Sequence, residues 1–172
     1  NDQFIIQNSS LSVPMPSRAA SSDGAADPFE AAAVRYLACR ERTEAQVKAY
    51  LSRAGASAVR IRTLLSRFRK HGYINDDAYA ARWAYARLAR RPMGQARLEA
   101  ELLAKGFERA TVARTMRQVY CELSQRELAR ALLVERFGRQ QLLDRRRGAS
   151  LLQRHGFDEE IIEELFGVSE SP

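Results

Sequence analysis

The amino-acid sequence predicts an all-α protein, with three tandem three-helix (helix-turn-helix-like) repeats in an elongated, curved array. Three observations carry this expectation. From Phe29 to Ser171 the only proline is Pro92, and no stretch alternates apolar and polar residues as a half-buried strand does. Thr43, Gly94 and Asp144 lie 51 and 50 residues apart, and each opens a helix-like segment. Each has a leucine eight residues on (Leu51, Leu102, Leu152) and a glycine twelve residues on (Gly55, Gly106, Gly156). Beyond each glycine, apolar positions recur at six, nine and ten residues: Ile61, Leu64 and Leu65, then Val112, Thr115 and Met116, then Ile162, Leu165 and Phe166. Thr115 is the one departure from that pattern. A period near fifty residues is the mark of a repeat architecture.

Residues 1–27 are rich in Ser, Ala, Pro, Asn and Asp without sustained periodicity, so a disordered lead-in is expected there. No basic region followed by an apolar run is read in residues 1–22, and a secretory signal is not expected. Asp27-Pro28-Phe29-Glu30 then reads as a helix start: an Asp cap, proline at the first helical position and a carboxylate in the first turn.

The first repeat spans 28–75. Its leading helix shows Phe29, Ala33, Tyr36 and Leu37 at helical spacing, Thr43 and Gln46 form a capping box for the second helix, and Gly55 stops it. The second repeat, 76–122, opens on Asn75-Asp76-Asp77, a cap with first-turn carboxylates that suit the positive end of the helix dipole. Tyr79, Trp83 and Ala86 mark its leading helix. The third repeat, 123–168, begins with the box Ser124 and Glu127, and Leu128, Ala131 and Leu132 mark its leading helix. It is the most divergent copy, because Gly148 replaces Val47 and Leu98 inside the middle helix at a propensity cost of about 1 kcal/mol. Residues 169–172 form a tail. Units this small are marginal alone, so adjacent repeats are expected to share cores.

Composition narrows the function. Hydrophobic residues make up 45% and charged residues 28%, enough for cores and too polar for a membrane protein. Cys39 and Cys121 are expected to be half-buried free thiols in a reducing cytoplasm. His71 and His155 each precede a glycine at a helix end, where an imidazole can meet exposed carbonyls. No catalytic triad, metal-ligand cluster or phosphate-binding glycine loop is read, so catalytic residues, metals and cofactors are all expected to be absent.

The positive charge is localised. Of a net +7, residues 34–75 carry +8 and residues 76–122 carry +3, whereas residues 123–172 carry −1. In the third helix of the first repeat, Ile61, Leu64, Leu65 and Phe68 form an apolar stripe. Arg60, Arg62, Arg67, Arg69 and Lys70 fall outside it, with no acid among them. A basic outer face on the last helix of a three-helix unit suits DNA phosphates. Trp83 and Tyr85 can stack on unpaired bases, but Trp83 shares a helix face with Tyr79 and is expected in the core.

The details resemble the RecX family of regulatory proteins. Tyr36-Leu37-Ala38-Cys39-Arg40-Glu41-Arg42-Thr43-Glu44 is similar to the family's opening. Gly72-Tyr73-Ile74-Asn75-Asp76-Asp77-Ala78-Tyr79-Ala80 resembles its junction, and Arg87, Gly94, Glu101-Leu102 and Lys105-Gly106 fit the family's pattern beyond that junction. The resemblance covers about residues 29–166. It implies a cytoplasmic, monomeric, non-enzymatic regulator that binds the RecA filament on single-stranded DNA. Such a regulator limits the filament's extension and suppresses its ATPase, strand-exchange and co-protease activities. The alternative is a sequence-nonspecific protein that binds single- or double-stranded DNA, or regulates transcription, through its repeats. For either role the expected contact residues are Arg40, Arg42, Arg60, Arg62, Arg67, Arg69, Lys70, Arg87, Arg90, Arg91 and Arg97.

Overall fold

The computed structural model describes residues 27–138 and 144–167; the lead-in other than Asp27, and the tail 169–172, lie outside the described residues. Nine α-helices and no strand occur among them. They are α1 (Pro28–Cys39), α2 (Glu44–Arg53) and α3 (Ala58–Lys70); α4 (Asp76–Arg90), α5 (Gln95–Lys105) and α6 (Arg109–Glu122); α7 (Gln125–Phe137), α8 (Arg145–Arg154) and α9 (Glu159–Phe166). No helix among the described residues is long and apolar enough to cross a membrane.

Local chemistry explains the helix boundaries. Asp27 accepts the Phe29 N–H at 3.1 Å with Pro28 at the first helical position. Thr43 and Gln46 close a complete capping box. Ser124 accepts only the Glu127 N–H, the forward half of its box. Gly55, Gly106 and Gly156 take φ of 89°, 97° and 78°, the left-handed geometry that ends a helix without a Cβ penalty. His155 caps α8 with Nδ1 2.9 Å from the Leu151 carbonyl, and His71 holds the corresponding cap of α3.

The apolar stripes close three cores. Val47, Leu51, Leu64 and Phe68 centre the first, and Leu88, Leu98, Leu102 and Val119 the second. Leu133, Leu152 and Phe157 belong to the third. Among the described residues these cores are separate clusters, contrary to the expectation of shared ones, and only Leu128 packs against both the second and the third. Each trio of short helices closes on its own apolar face, which leaves polar and backbone groups to join the units. Gly148 finds its reason here, because a Cβ would run into the Phe166 ring. Both cysteines are free and exposed rather than half-buried.

Candidate functional site

The joints between units obey one rule. The start of a middle helix in one unit meets the end of the middle helix in the next. At the first joint, Gln46 Oε1 accepts the Thr43 N–H at 3.3 Å while its Nε2 donates to the Lys105 carbonyl at 3.3 Å. Gly106 lies against Thr43 and Ala45, where a Cβ would just fit, 3.3 Å from Thr43 Oγ1. At the second joint, the Gly94 N–H donates to the His155 carbonyl at 2.9 Å, and Arg97 reaches the Arg154 carbonyl at 3.5 Å. The N-terminus of α2 thus faces the C-terminus of α5, and that of α5 faces the C-terminus of α8. Opposite ends of helix dipoles meet, and donors without an intrahelical partner find carbonyls in the same condition.

Asp76 strengthens the first joint. Its carboxylate accepts the Glu44 N–H at 3.0 and 3.2 Å, capping α2 from the start of α4. Burial raises its pKa, against the lowering effect of that hydrogen bond. Asp77, beside it, bonds Arg114 of α6 at 2.6 Å, which lowers its pKa. The two first-turn carboxylates expected as a simple cap thus serve as tertiary links. The cap itself is Asn75, which accepts the Ala78 N–H at 3.0 Å.

The basic residues fall into two groups. On α3, Arg60 pairs with Asp27, Arg67 with Glu30 at 2.8 Å and Arg69 with Glu44 at 3.6 Å. The acids that α3 lacks come from the cap and first turn of α1 and the start of α2. Arg87 holds Glu101 through bonds of 2.6 and 3.0 Å, and Arg97 shares the same carboxylate at 3.2 Å. These bonds, that to Arg87 foremost, hold the Glu101 pKa low. Arg42 stacks 4.1 Å over Tyr36, which itself stacks on Tyr50. The remaining expected contacts, Arg40, Arg62, Lys70, Arg90 and Arg91, are exposed and have no ion-pair partner among the described residues.

Tyr73 is an exposed aromatic group, whereas the two aromatics singled out in the sequence are engaged. Trp83 is half-buried against the second core, with Lys105 Nζ 5.3 Å from its ring centroid. Tyr85 donates to Glu122 at 2.6 Å; burial and that carboxylate raise its pKa to about 12. Tyr120 donates to the Met93 carbonyl at 3.2 Å. No group of three or more His, Cys, Asp or Glu side chains suited to a metal occurs among the described residues.

Sequence reasoning missed a cleft of about 640 Å³ at the second joint, between Arg91 and Arg97 of one unit and α7 and α8 of the next. Two of the expected contacts line it. The available signal was the departure of the third repeat from the second at a few aligned positions.

Comparison with known proteins agrees with this architecture. A family model described as RecX, second three-helix domain, matches residues 75–116, from the Asn75 cap into α6. The chain is 33% identical over 150 residues to regulatory protein RecX of Streptomyces coelicolor, covering 83% of this chain and 79% of that protein. It is 30% identical over 116 residues to the RecX of Salmonella paratyphi A, covering 62% and 68%. The crystal structure of RecX from Lactobacillus salivarius shares the fold, with a TM-score of 0.69 at 21% identity over 81% of this chain and 92% of that one. A second crystal structure of regulatory protein RecX gives a TM-score of 0.65 at 24% identity, over 81% and 72%. Repeats, junction residues and near-full-length similarity together show that the chain belongs to the RecX family of regulatory proteins.

Proposed function

We propose that this protein is a non-enzymatic regulator of the RecA recombinase, acting as a cytoplasmic monomer on the RecA filament assembled on single-stranded DNA. In this role it restrains the filament's extension, ATP hydrolysis, strand exchange and co-protease activity. The observation that carries the reading is the similarity to regulatory protein RecX over 83% of the chain, across all three repeats. The joints support it physically. Units linked by hydrogen bonds and opposed dipoles hold successive surfaces at set spacing, as a ligand of a repeating filament requires. Of the expected contacts, Arg40, Arg62, Lys70, Arg90 and Arg91 have no ion-pair partner among the described residues and can meet phosphate or acidic protein surface, while Arg60, Arg67, Arg69, Arg87 and Arg97 are paired with carboxylates and Arg42 with the Tyr36 ring. Those free cations equally favour a second reading, a sequence-nonspecific DNA-binding protein.

Sedimentation separates the two. Filaments stabilised with a slowly hydrolysed nucleotide are pelleted from a mixture containing this protein and a molar excess of uncoated single strand. A filament ligand enters the pellet; a DNA-binding protein stays with the uncoated strand in the supernatant, which would overturn the first reading.

A further inference from the structure

The cleft at the second joint differs from its counterpart at the first in a way that opens a site. Trp83 and Arg87 stand eight and twelve residues after the Asn75 cap; Leu132 and Arg136 stand at the same distances after Ser124. Glu101 comes seven residues after Gly94, as Leu151 does after Asp144. In the second unit, therefore, the bulk of Trp83 occupies this position and Glu101 neutralises Arg87 at 2.6 Å. In the third unit both replacements are leucines. Leu132, smaller than Trp83, lines the cleft at the equivalent position, and Arg136 has no ion-pair partner among the described residues.

Arg91, Arg97 and Arg154 join Arg136 around that space, with Leu132 and Leu151 as its apolar lining. Glu135 is the only carboxylate among the lining residues, and His155 completes them. Arg91, Arg136 and Arg154 are exposed, whereas Leu132 and Leu151 are 5% and 7% exposed. Guanidinium groups beside a leucine surface present bidentate donors and a small apolar seat together.

We propose that this cleft binds an acidic segment of a partner protein, its carboxylates held by Arg91, Arg136 and Arg154 and an apolar side chain resting on Leu132 and Leu151. Single-stranded nucleic acid fits less well. Base recognition without sequence preference relies on aromatic platforms, and no Phe, Tyr or Trp lines the cleft; its one ring, His155, is engaged with the Leu151 carbonyl at 2.9 Å. This assignment stands independently of the recombinase reading.

The test uses the full chain and a fluorescein-labelled octapeptide alternating glutamate and leucine, monitored by fluorescence anisotropy at low salt. A glutamine-for-glutamate peptide and a labelled oligothymidylate serve as comparisons. The glutamate peptide should bind, and the glutamine peptide at least about tenfold more weakly. Replacing Arg136 and Arg154 together by Gln should weaken glutamate-peptide binding about tenfold, because two charge-assisted contacts are lost. Replacing the exposed Arg109 and Arg117 of α6 by Gln, which removes equal charge outside the cleft, should change it less than about twofold. Leu151→Glu should weaken binding as much as the arginine pair does, by giving Arg136 the carboxylate that Arg87 already has. Circular dichroism reports whether that buried substitution folds, and the exposed arginine pair decides the matter if it does not. No binding, equal losses from the two arginine pairs, or an oligothymidylate more sensitive than the peptide to the cleft pair would each overturn the proposal.

Discussion

Gly94 lies directly against Gly156, so close that a single added carbon at Gly94 would overlap the Gly156 carbonyl. Its own φ of −79° is one any residue can adopt, so the requirement for glycine comes wholly from the neighbouring unit. Gly55 is the converse: φ is 89° and the space beside it is open.

These two glycines predict different costs for the same change. Gly55→Ala should cost about 1 kcal/mol, the penalty for left-handed backbone. Gly94→Ala should cost about 1–3 kcal/mol, because the second joint must part to admit the methyl group. Urea unfolding of the two variants measures both. A Gly94→Ala variant as stable as the parent would show that the joint is not closely held.

Acid should loosen the molecule through some carboxylates and not through others. Asp77 and Glu101 have pKa values lowered by Arg114 and Arg87, so the stability they add is present above the ordinary carboxylate range and is lost as pH falls through their folded values. Asp76 is raised by burial and works in reverse: its contribution is full below its unfolded value and is lost as pH rises through the folded one. Asp77→Asn should therefore flatten the loss of stability between about pH 5 and pH 3, and Asp76→Asn should steepen it. Asn at 76 keeps an acceptor for the Glu44 N–H, so its stability at neutral pH should stay within about 1 kcal/mol of the parent. Urea midpoints across that pH range check both slopes; equal slopes in the two variants would contradict the assignment.

The division of the arginines predicts which ones bind and which ones hold the fold. Arg62→Glu with Lys70→Glu should weaken DNA binding and reduce the salt slope by about two, because each phosphate contact contributes nearly one counterion. Arg87→Ala should leave that slope unchanged and lower stability by about 1–2 kcal/mol, since it breaks a part-buried bidentate pair with Glu101. Salt-dependent binding isotherms and thermal unfolding separate the two effects. A salt slope that falls for Arg87→Ala would place that side chain among the contacts.

Much of the fold was legible because helix caps and left-handed glycines are local chemistry. Thr43, Gly55, Gly106 and Gly156 announce their roles within a few residues of chain, and the stripes of Leu64 and Phe68 arise from helical period alone. The contacts between units were not legible. Those of Thr43 with Gly106 and of Gly94 with Gly156 each join the opener of one middle helix to the glycine that stops the middle helix of the next unit. Periodicity states that Thr43 corresponds to Gly94 and Gly106 to Gly156, not that the opener of one unit touches the stopping glycine of the next. The same gap hid Asp27, Glu30 and Glu44, whose carboxylates cross from α1 and α2 to neutralise much of α3's basic face. Family resemblance supplied the regulatory role, and the ion pairs, which no local pattern announces, divide the expected cations into paired and unpaired ones.

Under the proposed function, this protein acts on the assembled filament and not by taking DNA away from it. The direct measurement is ATP hydrolysis by RecA filaments preformed on single-stranded DNA, monitored after this protein is added, with and without a modest excess of bare strand. Engagement of the filament predicts inhibition that persists in the presence of the excess. Hydrolysis restored in proportion to the added DNA sites would contradict it.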